Sequence, residues 1–350
     1  MRVLVAMSGG VDSSVAAALL VEQGHEVVGA TLKLWGGVSD SGCCSVADVD
    51  DARRVAQQLG IDHHVFNLTD EFDTHVVAPY VEAHALGRTP NPCIECNRSI
   101  KFDRLLERAS RMGFERLATG HHARVTGDDG LRLRRGADAD KDQSYVLSML
   151  GQSELARVVF PVGEMTKSAV RHHATRLGLR TANKPDSQDV CFIGSVEGRA
   201  GFLSDKLDFH AAEVVNGAGE TVGTVQAVEL VTVGQRKGMG VSKNGARHYV
   251  VAVDVPQRRV TVGNVDQAVT SAIALPNSSL TWVDQPLVDG DRAVAQVSAH
   301  GRPAPCSIVR TDEGLVVEFD VPQRPVAAGQ TIALYDIDER DAVVGAGIAA

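Results

Sequence analysis

Short apolar runs alternate with helical patterns along the first half of the chain, and this alternation constrains the fold more than any other feature. The predicted strands are Val3 to Met7, Val27 to Leu34, His64 to Leu68 and Arg116 to Thr119. The predicted helices are Val11 to Gln23, a helix capped by Ser45 that runs to Leu59, one from about Asp70 to Leu86 and one around Phe102 to Met112, with a Pro-containing loop at Thr89 to Asn97. This order is typical of a parallel sheet covered by helices. We therefore expect an α/β domain built on a Rossmann-like parallel sheet.

The pattern changes after about Gly194, where short alternating strands separated by Gly, Asn and Asp turns replace the helices. Examples are Tyr249 to Val253, Arg259 to Val262 and Leu315 to Phe319. A break near Asn264 to Thr270 divides this half into two small β-rich domains. We therefore predict three domains, at residues 1–196, 197–266 and 267–350.

Composition excludes several classes of protein. The chain has 350 residues, 44% of them hydrophobic and 23% charged, which excludes disorder, collagen and coiled coils. The longest wholly apolar run, Val15 to Val21, is much shorter than the ~20 residues that a membrane helix needs. The N-terminal residues do not form a secretory signal, so we expect a cytoplasmic protein with no membrane partner. The six cysteines are too few for a disulfide framework and are expected to be thiols.

The formal charge of −9 gives no overall attraction to nucleic acid. A local exception runs from Arg98 to Arg135, where ten Lys or Arg residues outnumber five Asp or Glu residues. Two interpretations are open: a solvated helix face followed by an Arg-rich hairpin, or a footprint for RNA phosphates. The second predicts that charge reversal at Arg132, Arg134 and Arg135 weakens RNA binding.

A glycine-rich segment, Ser8-Gly9-Gly10-Val11-Asp12-Ser13-Ser14, joins the first predicted strand to the first predicted helix. Glycines there let backbone N–H groups face an anion, and the helix N-terminus adds a favourable dipole. The segment lacks the Lys of the common nucleotide loop and does not match the dinucleotide pattern. It resembles the pyrophosphate loop of the ATP pyrophosphatase superfamily, whose members split ATP between the α and β phosphates and adenylate a substrate oxygen. The alternative is a glycine turn that Asp12 or Ser13 caps.

Cysteines are the candidate nucleophiles, because a thiolate or persulfide can displace an adenylated oxygen. Cys93 and Cys96 form a C-x-x-C pair, and Cys191 lies far along the same predicted domain. No second pair is spaced for a four-thiolate zinc site. The remaining cysteines are interpreted as small packed residues: Cys43, Cys44 and Cys306.

A series of sequence blocks resembles the tRNA-specific 2-thiouridylase family of the ATP pyrophosphatase superfamily. In chain order they are Ser8 to Ser13, Asn91 to Asn97 with Ile100-Lys101-Phe102, Ala118 to His121, Lys141 to Tyr145, Cys191 to Gly194, Val233 to Gly238, and Gly329-Gln330 with Gly345-Ala346-Gly347. They cover essentially the whole chain. The resemblance implies a catalytic α/β domain, a small central β-rich domain and a C-terminal β-barrel that contacts tRNA.

The resemblance also implies a reaction and its residues. ATP would adenylate the 2-oxygen of the wobble uridine at tRNA position 34, and persulfide sulfur would replace that oxygen, giving 2-thiouridine, AMP and pyrophosphate. Cys191 would carry the persulfide, received from a donor protein such as a cysteine desulfurase or a relay, and Cys96 would be the nucleophile that releases the sulfur or resolves the disulfide. ATP would be held by Ala6, Met7, Ser8, Gly9, Gly10, Val11, Asp12, Ser13, Leu32 and Gly120, with Asp12 as a candidate Mg²⁺ ligand. tRNA would be held by Asn91, Pro92, Cys93, His121, Lys141, Asp142, Gln143 and Gln330, the first three facing the flipped target base.

Departures from the family pattern leave alternatives open. Many members have Asp at the position of Cys93, so Cys93, Cys96 and Cys191 form a set that could ligate an iron-sulfur cluster. The family's Arg-Tyr pair that touches tRNA falls at Ser298-Ala299. A small-molecule adenylating ligase of the same superfamily and an RNA-binding module with an inactive nucleotide loop are the competing functions. The intact loop and the paired cysteines favour the thiouridylase.

Overall fold

The computed structural model describes residues 1–35, 45–128, 130–186, 190–194, 196–240, 245 and 247–350. Its strands are β1 (Arg2–Ala6), β2 (Glu26–Lys33), β3 (Asp62–Asn67), β4 (Arg116–Thr119), β5 (Ala123–Thr126), β6 (Arg132–Arg135), β7 (Val158–Val159), β8 (Ala212–Val215), β9 (Thr221–Val225), β10 (Tyr249–Asp254), β11 (Arg259–Gly263), β12 (Thr270–Pro276), β13 (Thr281–Trp282), β14 (Arg292–Gln296), β15 (Ala304–Arg310), β16 (Gly314–Gln323), β17 (Thr331–Asp336) and β18 (Ala342–Ile348). Its separate helices are α1 (Val11–Glu22), α2 (Val46–Leu59), Ser144–Leu147, Gln152–Leu155, Lys167–Arg176 and Gly198–Ser204, with 3₁₀ turns at Val228–Leu230 and Asn277–Ser279. Two further helical segments each pass through a π-helical stretch: Thr69–Phe72, Asp73–Val77 and Ala78–Ala85 form one, and Pro92–Glu95, Cys96–Leu105 and Leu106–Arg111 form the other.

The predicted Rossmann-like sheet is present. Five parallel strands lie in the order β3-β2-β1-β4-β7. Successive side chains of β1 point to opposite faces of the sheet, as strand geometry requires. Val3 and Val5 pack with α1 and the helix Lys167–Arg176, whereas Leu4 belongs to the core formed with the segments 69–85 and 92–111. The carboxyl ends of β1 and β4 lie side by side, with Ala6 opposite Thr119. Residues that follow these two strands are therefore brought to one edge.

The prediction of a loop from Thr89 to Asn97 is wrong for most of that segment. Helix begins at Pro92, which occupies the first helical position, where its missing N–H costs nothing. The Asn91 side chain caps this end by accepting from the backbone N–H groups of Cys93 and Ile94. Cys93 and Cys96 therefore lie in the first turns of a helix that continues to Arg111.

The second half is β-rich, as predicted. One sheet has the order β10-β11-β8-β9, and a larger sheet of nine strands is mainly antiparallel. The larger sheet also contains the hairpin β5–β6 from the first half, because β6 pairs with β18. None of the helices that the structure describes is long and apolar enough to cross a membrane.

Candidate active site

The glycine-rich segment forms the connection between β1 and α1, as the sequence predicts. Gly9 has a φ of 72°, and a methyl group there would overlap the carbonyl oxygen of Asp48 in α2. The Ser8 N–H donates to Ser13 Oγ over 3.2 Å, which closes the loop. A Cβ atom at Gly120, the residue after β4, would lie 2.5 Å from the backbone nitrogen of Ser13. The loop is thus packed tightly on two sides, and α1 directs its N-terminal N–H groups at the remaining side.

Two lysines from distant parts of the chain supply the positive charge that the loop itself lacks. Lys167 Nζ donates to both carboxylate oxygens of Asp12, over 2.8 and 2.7 Å. Lys184 Nζ donates to the carbonyl oxygen of Gly9 over 3.0 Å and to Asp48 and Asp51 over 2.5 and 2.8 Å. Sequence reasoning missed both lysines as site residues. Thr166, which caps the helix of Lys167, is the only local signal nearby, and it predicts a helix start rather than a phosphate ligand.

Asp12 is held as a carboxylate by two neighbours. Burial alone would raise its pKa, but hydrogen bonds from His122 and Lys167 lower it below its usual value. His122 Nε2 lies 3.2 Å from Asp12 Oδ1, and the backbone N–H of His122 donates to the side-chain oxygen of Gln143 over 2.9 Å. An ionised carboxylate beside a phosphate-binding loop fits Mg²⁺, which is usually bound by one or two carboxylates together with substrate phosphates.

Asp186 connects several cations near the loop. Its carboxylate accepts from Lys167 over 2.8 Å, from Lys141 over 2.9 Å and from Arg171 over 2.9 Å. Partial burial would raise its pKa, but the hydrogen bonds from Lys167 and Lys141 lower the pKa of Asp186 to about 2. Asp186 is therefore ionised at neutral pH, and three positive side chains share its charge.

The structure separates the predicted tRNA contacts into exposed and buried groups. Cys93 is exposed, and the Lys141 side chain is 38% exposed. His121 is buried between Phe102 and Phe160, its Nδ1 lies 2.6 Å from Thr119 Oγ1, and burial holds its pKa well below the usual value.

Asp142 and Gln330 make contacts within the protein. The buried Asp142 carboxylate accepts from Arg135, from the Gly136 N–H and from both the N–H and the hydroxyl of Ser144. The Gln330 side chain donates to the carbonyl oxygen of Thr89, just before the cysteine-bearing helix.

The cysteines share one hydrophobic region. Cys96 is buried in the core cluster that also contains Phe192, and Cys191 packs against that cluster. Tyr80 links the two segments: its ring lies 5.5 Å from that of Phe192, and its pKa is raised by burial and by the nearby charge of Cys93. Within the described ranges, no group of three His, Cys, Asp or Glu side chains is arranged to hold a metal ion.

The other cysteines are placed elsewhere or not described. Cys306 is buried in β15, where burial raises its pKa to about 11, as expected for a packed thiol. Cys43 and Cys44 lie outside the described residues.

An aromatic cluster holds the residue that follows Cys191. The Phe192 ring lies between 5.0 and 6.2 Å, centroid to centroid, from those of Trp35, Phe72, Tyr80 and Phe202. Edge-to-face geometry of this kind stabilises a defined position. Phe192 is thus an anchor next to Cys191.

The arginine-rich hairpin β5–β6 does not present a free basic face. Arg134 pairs with Glu339 and Asp341, and Arg132 pairs with Asp284 and Glu339. Arg135 donates to Asp142 and to Gln296, each over 2.7 Å, and its guanidinium lies 3.8 Å from the ring centre of Tyr335. These contacts form a clamp between the hairpin and the last sheet; the RNA footprint predicted at these three arginines stays a prediction.

The chain was compared with known families and proteins. Models described as "tRNA methyl transferase HUP domain", "tRNA methyl transferase PRC-barrel domain" and "Aminomethyltransferase beta-barrel domain" match residues 1–195, 200–264 and 274–349. The chain is 43% identical over 361 residues to the tRNA-specific 2-thiouridylase MnmA of Heliobacterium modesticaldum, which spans 99% of this chain and 91% of that protein. It is 44% identical over 357 residues to MnmA of Mycolicibacterium vanbaalenii, with 99% and 98% covered, and 42% identical over 376 residues to MnmA of a Roseiflexus species, with the same two shares covered.

Proposed function

The chain belongs to the tRNA-specific 2-thiouridylase family, and from this membership we propose that it converts the wobble uridine of tRNA to 2-thiouridine in an ATP-dependent reaction. One observation carries the proposal most directly. The glycine-rich loop, with Lys167 and Lys184 beside it, lies in the same domain as Cys96 and Cys191. An adenylating site and a sulfur-transfer site in one domain are what this reaction needs.

The first half-reaction uses the loop. ATP binds at the residues from Ala6 to Ser13, with Leu32 and Gly120 nearby, and Asp12 would hold Mg²⁺ on the phosphates. The metal would neutralise phosphate charge. The Lys167 side chain is 12% exposed and already contacts the loop at Asp12, so it would exchange its two carboxylate partners, Asp12 and Asp186, for a phosphate oxygen. The 2-oxygen of the uridine attacks the α phosphate and pyrophosphate leaves.

The second half-reaction uses the cysteines. A donor protein, such as a cysteine desulfurase or a relay, loads Cys191 as a persulfide. The terminal sulfur of the persulfide attacks C2 of the uridine, the C2–O bond breaks and AMP leaves. The Cys96 thiolate then attacks the Cys191 sulfur, which releases the thiolated tRNA and leaves a Cys96–Cys191 disulfide that an external thiol reduces.

The tRNA is held at the rim of this site. Asn91, Pro92 and Cys93 would face the flipped base, with the exposed Cys93 nearest to solvent and Pro92 buried behind it, and the exposed end of Lys141 would bind a phosphate. The buried His121 and Asp142, together with Gln143 and Gln330, position these groups through the contacts described above. We place the domain boundaries at 196/197 and 266/267 and the enzyme in the cytoplasm; the three separate family matches support the division.

The decisive experiment separates the two half-reactions. Purified protein is given unmodified tRNA, ATP, Mg²⁺ and a persulfide donor, and pyrophosphate release and 2-thiouridine are measured. We expect Cys191→Ser and Cys96→Ser to abolish 2-thiouridine formation while pyrophosphate release persists. Cys306→Ser is the matched control and retains both activities, because this thiol is buried in another domain. Loss of both activities in the Cys191 variant would contradict the division of roles, and absence of thiolation in the unmodified protein would contradict the function.

An iron-sulfur mechanism is the second candidate, because the C-x-x-C pair and Cys191 share one hydrophobic region. Anaerobic purification with iron and sulfide analysis distinguishes it. Cluster absorption, with activity lost on iron removal, would assign Cys93, Cys96 and Cys191 as ligands. Full activity without iron would support the persulfide route.

A further inference from the structure

Asp186 lies between a cation that faces the ATP loop and a cation that faces solvent. Its Oδ1 atom accepts from Lys167 over 2.8 Å and from Arg171 over 2.9 Å, and its Oδ2 atom accepts from Lys141 over 2.9 Å. Lys167 is simultaneously bonded to Asp12 in the loop. The two substrate-facing lysines therefore share a single carboxylate.

The exposures of these groups indicate what each lysine can reach. The Lys167 side chain is 12% exposed and is enclosed by the loop, whereas that of Lys141 is 38% exposed at the rim. ATP phosphates are the anions that can reach the first, and phosphates of a macromolecular substrate are the anions that can reach the second. Asp186, at 21% exposure, depends on its cations to offset lost hydration.

This arrangement makes the two lysines interdependent. When one cation leaves a partly buried carboxylate, the carboxylate holds the remaining cations more strongly, because less positive charge compensates for its desolvation. A phosphate that draws Lys167 away from Asp186 therefore makes Lys141 harder to withdraw, and the reverse holds by linkage.

We propose that Asp186 is a positioning residue that couples the two substrate sites, so that ATP and tRNA each weaken the binding of the other. The inference rests on the proposed function. Its consequence follows from the order of events: once pyrophosphate has left, Lys167 returns to Asp186 and Lys141 is available to tRNA phosphate. The adenylated tRNA is then held more tightly while it waits for sulfur.

The test measures binding without chemistry. The dissociation constant of α,β-methylene-ATP with Mg²⁺ is determined for the full chain with and without saturating unmodified tRNA. We expect tRNA to weaken nucleotide binding about five-fold, the lower end for coupled sites, because the exposed Lys141 is screened by solvent. In Asp186→Asn the ratio should fall to about one. Asp320→Asn, which neutralises an acid of a distant ion pair, should keep the five-fold ratio.

Two further variants protect the interpretation against a folding artefact. Asp186→Glu retains the charge and should restore most of the coupling. Lys141→Met removes the solvent-facing cation and should also abolish coupling; its tRNA affinity is measured alongside, so that the ratio is taken at saturating tRNA. A ratio of one in the unmodified protein, or an undiminished ratio in Asp186→Asn, overturns the inference while the proposed function stands. Failure of the unmodified protein to bind either ligand would instead contradict the proposed function.

Discussion

Replacement of Arg135 by Ala tests whether the arginine-rich hairpin is a clamp or an RNA footprint. The side chain joins three parts of the molecule: it pairs with Asp142, donates to Gln296 in β14 and covers the ring of Tyr335 in β17. Its removal leaves the Asp142 carboxylate, which is only 7% exposed, without its cation. We therefore expect Arg135→Ala to destabilise the junction between the first domain and the last sheet.

The magnitude follows from burial. Breaking a buried ion pair from one side costs about 3–5 kcal/mol, because the remaining charge is left uncompensated. Asp142 keeps hydrogen bonds from Gly136 and from Ser144, so the lower end, about 3 kcal/mol, applies. Arg292→Ala is the matched control: its pair with Asp320 is on the surface, and we expect no measurable change.

The chain offers a convenient assay, because it contains only two tryptophans. Trp35 belongs to the aromatic cluster beside Phe192, and Trp282 lies in β13 of the last sheet. With Trp35→Phe as background, urea unfolding followed by fluorescence reports on the last sheet, where the Arg135→Ala transition should shift to lower urea. Unchanged unfolding together with weakened tRNA binding would refute the clamp and restore the footprint.

Three other changes test nucleotide binding at the loop and the pH dependence of stability. Gly9→Ala should abolish binding of α,β-methylene-ATP, because its methyl group would overlap Asp48. Gly24→Ala is the control: Gly24 has a similar φ of 76° but open space around it, so the change should cost about 1 kcal/mol of stability and leave binding intact. Equal binding by both variants would contradict the steric argument. Lys167→Met should weaken binding of the nucleotide about ten-fold or more through loss of a charge-assisted hydrogen bond, and unchanged affinity in a titration would exclude this lysine from the phosphate site. Burial lowers the pKa of His84 to about 4, so the unfolded chain binds a proton below pH ~6.5 that the folded chain excludes; stability should fall as the pH drops from 6.5 to 4, and His84→Phe should flatten that dependence in urea unfolding measured at several pH values.

The part of the site that could be predicted from sequence is the part made by neighbours in the chain. The loop from Ser8 to Ser14 can be predicted from sequence because the strand, the glycines and the helix follow one another, and each has a local signal. Ser45 likewise caps α2 through its side chain, as predicted, and the helix ends at Gly60, which has a φ of 70°. Where contacts within a segment determine its structure, the sequence of that segment is sufficient to predict it.

Lys167 and Lys184 were beyond such reasoning because their contacts arise from tertiary packing. They lie 155 and 175 positions from the loop residues that they bind. A lysine at a helix start has no feature that distinguishes a phosphate ligand from a solvated charge. The helix that begins at Pro92 differs from this case, because its cap, Asn91, and its first residue are adjacent in the sequence. A proline is compatible both with a loop and with the first position of a helix, so the local pattern alone does not decide between them.

The structure divides the basic stretch from Arg98 to Arg135 into two groups with different surroundings. In the hairpin, the acidic partners of Arg132 and Arg134 come from the last domain, and the Arg135–Asp142 pair is largely shielded from solvent. In the helical segment 92–111, by contrast, Arg98 and Arg111 pair with acids three or four positions away and are 46% and 77% exposed. Exposed ion pairs within one helix contribute little to the free energy of unfolding. These arginines can therefore leave their acidic partners for RNA phosphates without destabilising the fold. Since Arg98 lies two positions after Cys96 in this helix, we predict that it contacts RNA phosphate near the proposed sulfur chemistry, and Arg98→Glu should weaken tRNA binding without lowering stability.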